Sequence, residues 1–254
     1  EQNLYGRRYN SCGEYYDAEG NVHYYDGQTD NYHQQNYQLH LNQIIDDNWN
    51  FTATLHYTKG AGYYEEYKGS RTWGEYDLTT DWNVLGDLVR QKKMANDFYG
   101  AVASLSYENK KGLSAHLGGG WNLYDGDHFG KVIWTGAPYI MVPDGNGKDI
   151  AEYIQTPADL QPNHTYYDNN TKKTDGNIFG KMNYDITDKL GAYLDLQYRH
   201  VGIKMNGPTD VIDWNTMKRM SYNFKKSYDF FNPKLGLNYD ITSQHRLYVS
   251  YAIA

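Results

Sequence analysis

Trp49-Asn-Phe-Thr-Ala-Thr-Leu-His-Tyr-Thr58 alternates without a break: every odd position is apolar or aromatic and every even one is polar. Successive side chains of a strand point to opposite faces, so this segment presents one greasy face and one wet face. Working outward, Leu113-Ser-Ala-His-Leu-Gly-Gly-Gly-Trp-Asn-Leu123 follows the same rule. Leu190, Ala192, Leu194, Leu196 and Tyr198 do so again, with Asp195, Gln197 and Arg199 opposite. Leu235, Leu237, Tyr239 and Ile241 repeat it, as do Leu247, Val249, Tyr251 and Ile253. Fainter copies lie at 34–44, 98–107 and 177–185. The pattern predicts about eight to nine strands, most near the ~9–11 residues that cross a bilayer when tilted.

Connections alternate in length. Short polar turns are expected at Asp46–Asn48, Glu108–Gly112, Asp185–Lys189 and Asp240–His245, where Asp, Asn, Thr and Gly satisfy local backbone groups or accept positive φ. Long segments, roughly 60–97, 124–174 and 202–228, with another at 6–32, are expected as loops. Loops of that size are uncommon in compact soluble domains. Short turns on one rim and long loops on the other describe an outer-membrane barrel. Trp49, Tyr57, Tyr107, Trp121, Tyr184, Tyr198 and Tyr239 recur near strand ends, as an interfacial aromatic girdle requires.

Composition agrees. The 254 residues are 39% hydrophobic and 22% charged, with a net charge of −7 and 28 Tyr. That aromatic content argues against disorder, and no apolar run approaches the ~20 residues of a helical span. The mild, dispersed acidity gives no sign of nucleic-acid binding. The single Cys12 excludes an internal disulfide. Glu1–Tyr5 lacks the basic start and apolar core of a signal peptide, and Arg246–Ala254 stops inside a strand-like pattern, so the chain is expected to be a piece of something longer.

Several stretches carry a family resemblance. Leu55-His-Tyr-Thr-Lys-Gly-Ala-Gly-Tyr-Tyr-Glu-Glu-Tyr-Lys68 and Asn96-Asp-Phe-Tyr-Gly100 resemble the barrel of Bacteroidetes TonB-dependent receptors. So do Asn163–Asn170, Leu196–His200, Phe231-Asn-Pro-Lys-Leu-Gly236 and His245-Arg-Leu-Tyr-Val-Ser-Tyr251. The resemblance runs over essentially all of residues 1–254, which are read as one partial barrel domain. It implies a barrel of about 22 strands around an N-terminal plug, of which this chain would be a central slice. It further implies uptake of scarce ligands (iron chelates, haem, cobalamin, glycans) with energy relayed by TonB. The implied partners are outer-membrane lipid, the plug and TonB. No TonB-box-like start, plug-like domain or terminal strand ending in an aromatic is present.

Candidate ligand-binding residues lie in the first complete long segment. Tyr63, Tyr64, Tyr67 and Trp73 sit among Glu65, Glu66, Lys68 and Arg71. Such a mixture can stack on a sugar or flat chelate and hydrogen-bond its rim, or else pack the loop over the barrel mouth. Trp134, Tyr139, Tyr166 and Tyr167 are weaker candidates. His40, His56 and His116 fall on the polar face and are read as lumen lining rather than metal ligands, while His23, His33, His128 and His164 fall in expected loops. Asp144-Gly-Asn-Gly-Lys-Asp149 starts like a calcium loop, but Lys148, Asp149 and Gln155 stand where such a loop needs other residues, so a Gly-rich turn is expected. No metal or cofactor is assigned.

Lys181, Asp195, Arg199 and Lys234 must face inward, because a charge facing lipid at mid-bilayer costs ~2–4 kcal/mol. Lys181 and Asp195 are expected to pair diagonally. No catalytic motif or carboxylate pair is assembled, which argues against an enzyme. The expected fold is an all-β, antiparallel transmembrane barrel meander with long extracellular loops. The expected function is ligand uptake across an outer membrane. The alternative is a small, self-closed outer-membrane barrel acting as adhesin or passive pore.

Overall fold

The computed structural model describes residues 13–16, 20–158, 160–161 and 163–253. Cys12 lies outside them. In chain order the strands are β1 (Glu14–Tyr16), β2 (Val22–Tyr24), β3 (Thr29–Ile44), β4 (Trp49–Thr72), β5 (Leu85–Glu108) and β6 (Leu113–Thr135). They continue with β7 (Tyr139–Pro143), β8 (Asp149–Tyr153), β9 (His164–Thr187), β10 (Leu190–Asp213), β11 (Lys218–Thr242) and β12 (His245–Ala252). A 3-10 turn, Trp73–Tyr76, follows β4. No helix among the described residues is long and apolar enough to cross a membrane, which has no bearing on crossing by strands.

Eight of these strands form one antiparallel sheet in the order β3-β4-β5-β6-β9-β10-β11-β12. They are the eight segments marked by alternation in the sequence. The β7–β8 hairpin joins through a single pairing, Leu85 with Tyr139, and β1–β2 is a separate hairpin. β3 and β12 stand at opposite ends of the order and do not pair with each other. The sheet is open.

The four short turns, at the end called lower here, are closed by their own side chains. Asp46 Oδ1 accepts from the amides of Asn48 and Trp49 (2.8 and 2.9 Å). Asn109 Oδ1 accepts from those of Lys111 and Leu113 (3.0 and 2.9 Å). Thr187 Oγ1 serves Lys189 and Leu190, and Thr242 Oγ1 serves Gln244 and His245. A short acceptor two to four residues before the amide takes the place of a backbone carbonyl and fixes hairpin register.

Strand length corrects the sequence reading. β4, β5, β9 and β10 have 24 residues each, about 80 Å of extended chain and more than twice what a bilayer crossing needs. Most of the expected loops 60–97, 124–174 and 202–228 are therefore strand. The true upper connections are 73–84, 136–163 and the tight turn 214–217. Beyond the apolar band the outer residues turn polar, so the backbone ladder continues while the apolar alternation that advertises it stops.

Register places each alternating set on one side. Phe51, Leu105, Leu117, Gly180, Leu196 and Pro233 form one cross-strand row on the outer face, and Leu55, Leu117 and Leu237 in this region are more than half exposed. Aromatic rows bound the band. At its lower edge Trp49 faces Tyr107, rings 4.7 Å apart, with Tyr184 and Tyr239 further along. At its upper edge Tyr37 stacks on Tyr57 (6.0 Å), Tyr57 pairs with Tyr99, and Tyr99 meets Trp121 edge-on (6.1 Å). Tyr198 continues that row, paired with Phe231. Trp49 to Tyr57 is nine residues, about 20 Å of height at a ~40–45° tilt.

The inner face of the band is polar. Lys181, Asp195 and Lys234 share one row, with Lys181 directly opposite Asp195 rather than diagonal to it. The recorded ion pair is Lys234 to Asp195 (3.9 Å). Arg199 instead reaches Asp175, Nε at 2.9 Å.

Candidate functional site

Above the upper aromatic row the same strands build a different surface. Trp73, Tyr76 and Leu78 fold back from the 73–84 connection onto the inner face of β5, β6 and β9. There they meet Leu88, Val132, Tyr166 and Tyr167, and with Val84 these residues form a buried hydrophobic cluster. Trp73 and Leu88 are fully buried. Tyr76 and Tyr166 meet edge-on at 5.0 Å.

Charged groups tie this strap down. Arg90 donates from Nε and Nη2 to Glu66 Oε2 (3.0 and 2.8 Å) and from Nη1 to Tyr76 Oη (3.3 Å). Burial alone would raise the Glu66 carboxyl, but the hydrogen bonds from Arg90 and Lys68 outweigh it and hold the group below its usual range. Arg219 reaches across from β11 and donates to Asp77 Oδ2 (2.9 Å), Glu75 O (2.5 Å) and Thr209 O (3.0 Å). Its guanidinium lies 5.3 Å from the Tyr166 ring centroid. Burial drives the Tyr166 phenol well above its ordinary value although Arg90 pulls it down.

Beside the strap the inner wall opens into a cavity of about 260 Å³ whose lining includes Asp30, Tyr32, Tyr64, Lys92, His128 and Tyr167. Two glycines shape it. A Cβ on Gly60 would come within 2.1 Å of Tyr32 Oη, and one on Gly62 within 2.7 Å of Tyr32 Cδ2, so their absence of side chains lets the Tyr32 ring lie against β4. Lys92 pairs with Asp210 across the wall. Burial would raise the Asp210 carboxyl, and the Lys92 hydrogen bond reverses that and lowers it. Further down the same face, Lys173 and Lys226 both sit opposite Ile203.

The four sequence candidates do not converge. Tyr64 faces inward, 40% exposed, and lines the cavity. Tyr63 also borders it, with Lys93 Nζ 4.7 Å from its ring. Tyr67 lies on the outer face, donates to Asp87 Oδ2 (2.5 Å) and packs on Tyr15 and Tyr25. Trp73 is core. None of Tyr63, Tyr64 and Tyr67 stands in a loop; all three are in β4, because the strand runs on past the apolar band.

Of the weaker candidates, Tyr166 and Tyr167 are buried in the cluster, Tyr139 donates to Ser70 Oγ (2.9 Å) and Trp134 is half exposed. His23, His33, His128 and His164 also stand in strands rather than loops. His40, His56 and His116 face inward as expected. His40 and His116 bond a polar side chain of the adjacent strand, Thr54 at 3.0 Å and Ser106 at 2.9 Å, and His56 reaches over Gly100 of β5 to Asn122 of β6 at 2.8 Å. The Asp144–Asp149 stretch is the β7–β8 turn, with Asp144 Oδ1 accepting from the amides of Asn146 and Lys148. Among the described residues no group of His, Cys, Asp and Glu is placed to hold a metal.

Sequence reasoning missed Tyr32 and Lys92. Both lie on strand extensions polar on both faces, and only cross-strand register brings them beside Tyr64. The pairs Gly62–Tyr32 and Tyr64–Lys92 are direct neighbours. The chemistry available is stacking, hydrogen bonding and cation attraction, which suits capture of a ligand.

The family model described as TonB dependent receptor-like, beta-barrel, matches residues 2–254. Among solved structures, the ferric-catecholate import receptor Fiu from E. coli K12, in its open form, matches with a TM-score of 0.54 at 14% identity. That match covers 89% of this chain and 36% of Fiu. The siderophore receptor PiuA from Acinetobacter baumannii matches with a TM-score of 0.50 at 14% identity, covering 90% of this chain and 33% of PiuA. The chain thus spans about a third of the length of these receptors. At that identity the likeness shows the fold alone. No curated protein matches the chain.

Proposed function

The chain belongs to the TonB-dependent receptor-like β-barrel family, and from that premise we propose that it is part of a receptor barrel in the outer membrane of a Bacteroidetes bacterium. In this reading the sheet is one sector of a larger barrel that surrounds a plug. It imports a scarce ligand with energy relayed by TonB, and it performs no bond chemistry.

The observation that carries the reading is a single sheet with an apolar outer band, aromatic rows at both edges and a polar inner face. Exposed leucines on that scale need lipid, since soluble surfaces rarely leave such patches open. The open strand order favours a sector over a small self-closed barrel, which would pair β3 with β12.

Within the family's range of ligands (iron chelate, haem, cobalamin or glycan), an anionic chelate with flat rings fits the inner wall best. Tyr32 and Tyr64 offer ring faces beside the Lys92–Asp210 pair, and Lys173 and Lys226 on the same wall make no ion pair with a described carboxylate. Tyr63, Tyr67 and Trp73 would then support the wall and strap.

Uptake assays on cells producing the full-length protein, with tonB intact or deleted, test this using a radiolabelled ferric tris-catecholate, haem, cobalamin and an oligosaccharide. The expected result is TonB-dependent accumulation of the ferric catecholate, weakened by Tyr64→Ala with Lys92→Gln. Uptake that persists without TonB would refute the receptor reading. TonB-dependent uptake of one of the other probes alone would refute only the chelate.

A further inference from the structure

We infer that the outer wall of β9–β11, above the aromatic row, is a binding site for a phosphorylated glycolipid of the outer leaflet. This rests on the membrane placement proposed above.

Cross-strand register puts Lys172, Lys204 and Lys225 directly opposite one another on three adjacent strands, all facing outward. Like charges placed opposite each other repel, and sheets avoid the arrangement unless something offsets it. The chain offsets one of the three: Lys172 reaches Asp125 Oδ2 at 2.7 Å. Lys204 and Lys225 are exposed and make no ion pair with a described carboxylate. The nearest outward acids on these strands are otherwise engaged or distant. Asp229 accepts from Tyr198 (2.5 Å) and lies 2.7 Å from His200 Nδ1, and Asp168 stands two outward positions beyond Lys172 on β9. The row is flanked by Thr174 and Ser227 below and Asn206 above, hydrogen-bonding groups that suit sugar hydroxyls and phosphate oxygens.

Height selects the class of lipid. Lys204 follows Tyr198 by six residues, about 15 Å above the girdle at ordinary strand rise and tilt. A simple phosphodiester headgroup stays within the interfacial layer, roughly 5–8 Å deep. Anionic groups carried on a sugar headgroup extend far enough to meet lysines at that height. The same row over β4–β6 is balanced instead, Lys59 opposite Asp97 and Asp125 beside Lys172. Among the described strands the unbalanced part of the row is therefore β9–β11.

The test is native mass spectrometry of the detergent-solubilised full-length protein, titrated with phosphorylated lipid A, dephosphorylated lipid A and phosphatidylglycerol. Bilayer insertion and heat-modifiable migration are recorded first. The Lys204→Gln/Lys225→Gln variant is expected to insert normally and to lose phosphorylated lipid A about 25-fold, roughly a factor of five per lysine. Lys59→Gln should stay within about twofold, its charge being balanced by Asp97. Unchanged lipid A binding in the double variant would overturn the inference. So would an equal, lysine-dependent affinity for phosphatidylglycerol or for dephosphorylated lipid A. Failure of the wild-type protein to insert would remove the membrane placement, and the lipid site with it.

Discussion

The lower and upper halves of the same strands solve opposite problems. In the lower half the outer face is apolar and exposed, the inner face is polar, and none of the buried hydrophobic cluster lies there. In the upper half the outer face turns polar, and a compact core of Trp73, Tyr76, Leu88, Val132, Tyr166 and Tyr167 forms against the inner wall. A sheet in lipid hides its apolar face in the solvent, whereas a sheet in water must cover one face with its own chain. The 73–84 strap is that cover. On the proposed membrane placement one continuous hydrogen-bond ladder passes from one solvent to another, and the side chains alone record the border.

Trp73→Ala should separate the halves most sharply. Truncating a fully buried Trp costs about 3–5 kcal/mol, here charged to the strap. Limited proteolysis should cut within 77–84 while heat-modifiable migration of the lower half persists. Loss of both together would break the comparison and make the sheet a single cooperative unit.

Charge placement ranks next. Leu196→Arg, on the outer face in mid-band, should cost about 2–4 kcal/mol in urea titrations of folding into bilayers. Ala61→Arg, on the same face above the girdle, should stay within about 0.5 kcal/mol. Equal penalties would mean that the apolar band does not face lipid.

The strap also carries a pH signature. Glu66 and Asp210 are held below the usual carboxylate range in the folded state, so their contribution is present above the unfolded value, near pH 4, and is lost as pH falls through the lowered folded values. Tryptophan emission reporting Trp73 should be flat from neutral pH to about 4.5 and change only below it. A transition between pH 6 and 7 would point to histidines and contradict these anchors.

The smallest effect is expected at a turn. Asp46→Ala removes two amide caps and should cost about 0.5–1.5 kcal/mol in the lower half, seen as a shift in urea midpoint with an unchanged strap cleavage pattern.

Legibility in the sequence followed the same border. All eight strands of the main sheet, their short turns and their inward charges could be read in the lower half, because an apolar outer face against a polar inner one enforces alternation residue by residue. Above Tyr57 and Tyr198 that constraint ends. Gly60–Thr72 then reads as loop although it completes β4. Tyr67 and Trp73 looked available to a ligand because sequence does not show that Asp87 takes the Tyr67 hydroxyl or that the strap buries Trp73. Tyr64 was legible as a candidate, but its neighbours Tyr32 and Lys92 become visible only through register.

The border itself is the central claim, and spin labelling tests it most directly. Single cysteines would be placed at 49 to 67 along β4 in the full-length protein, carrying Cys12→Ser and reconstituted in bilayers. Accessibility to oxygen and to a water-soluble nickel chelate would be measured at each. The account predicts high oxygen and low nickel access at 51, 53 and 55, then a switch to nickel access at 59, 61 and 63, with even positions polar throughout. Nickel access at 51–55, or no switch beyond Tyr57, would contradict it.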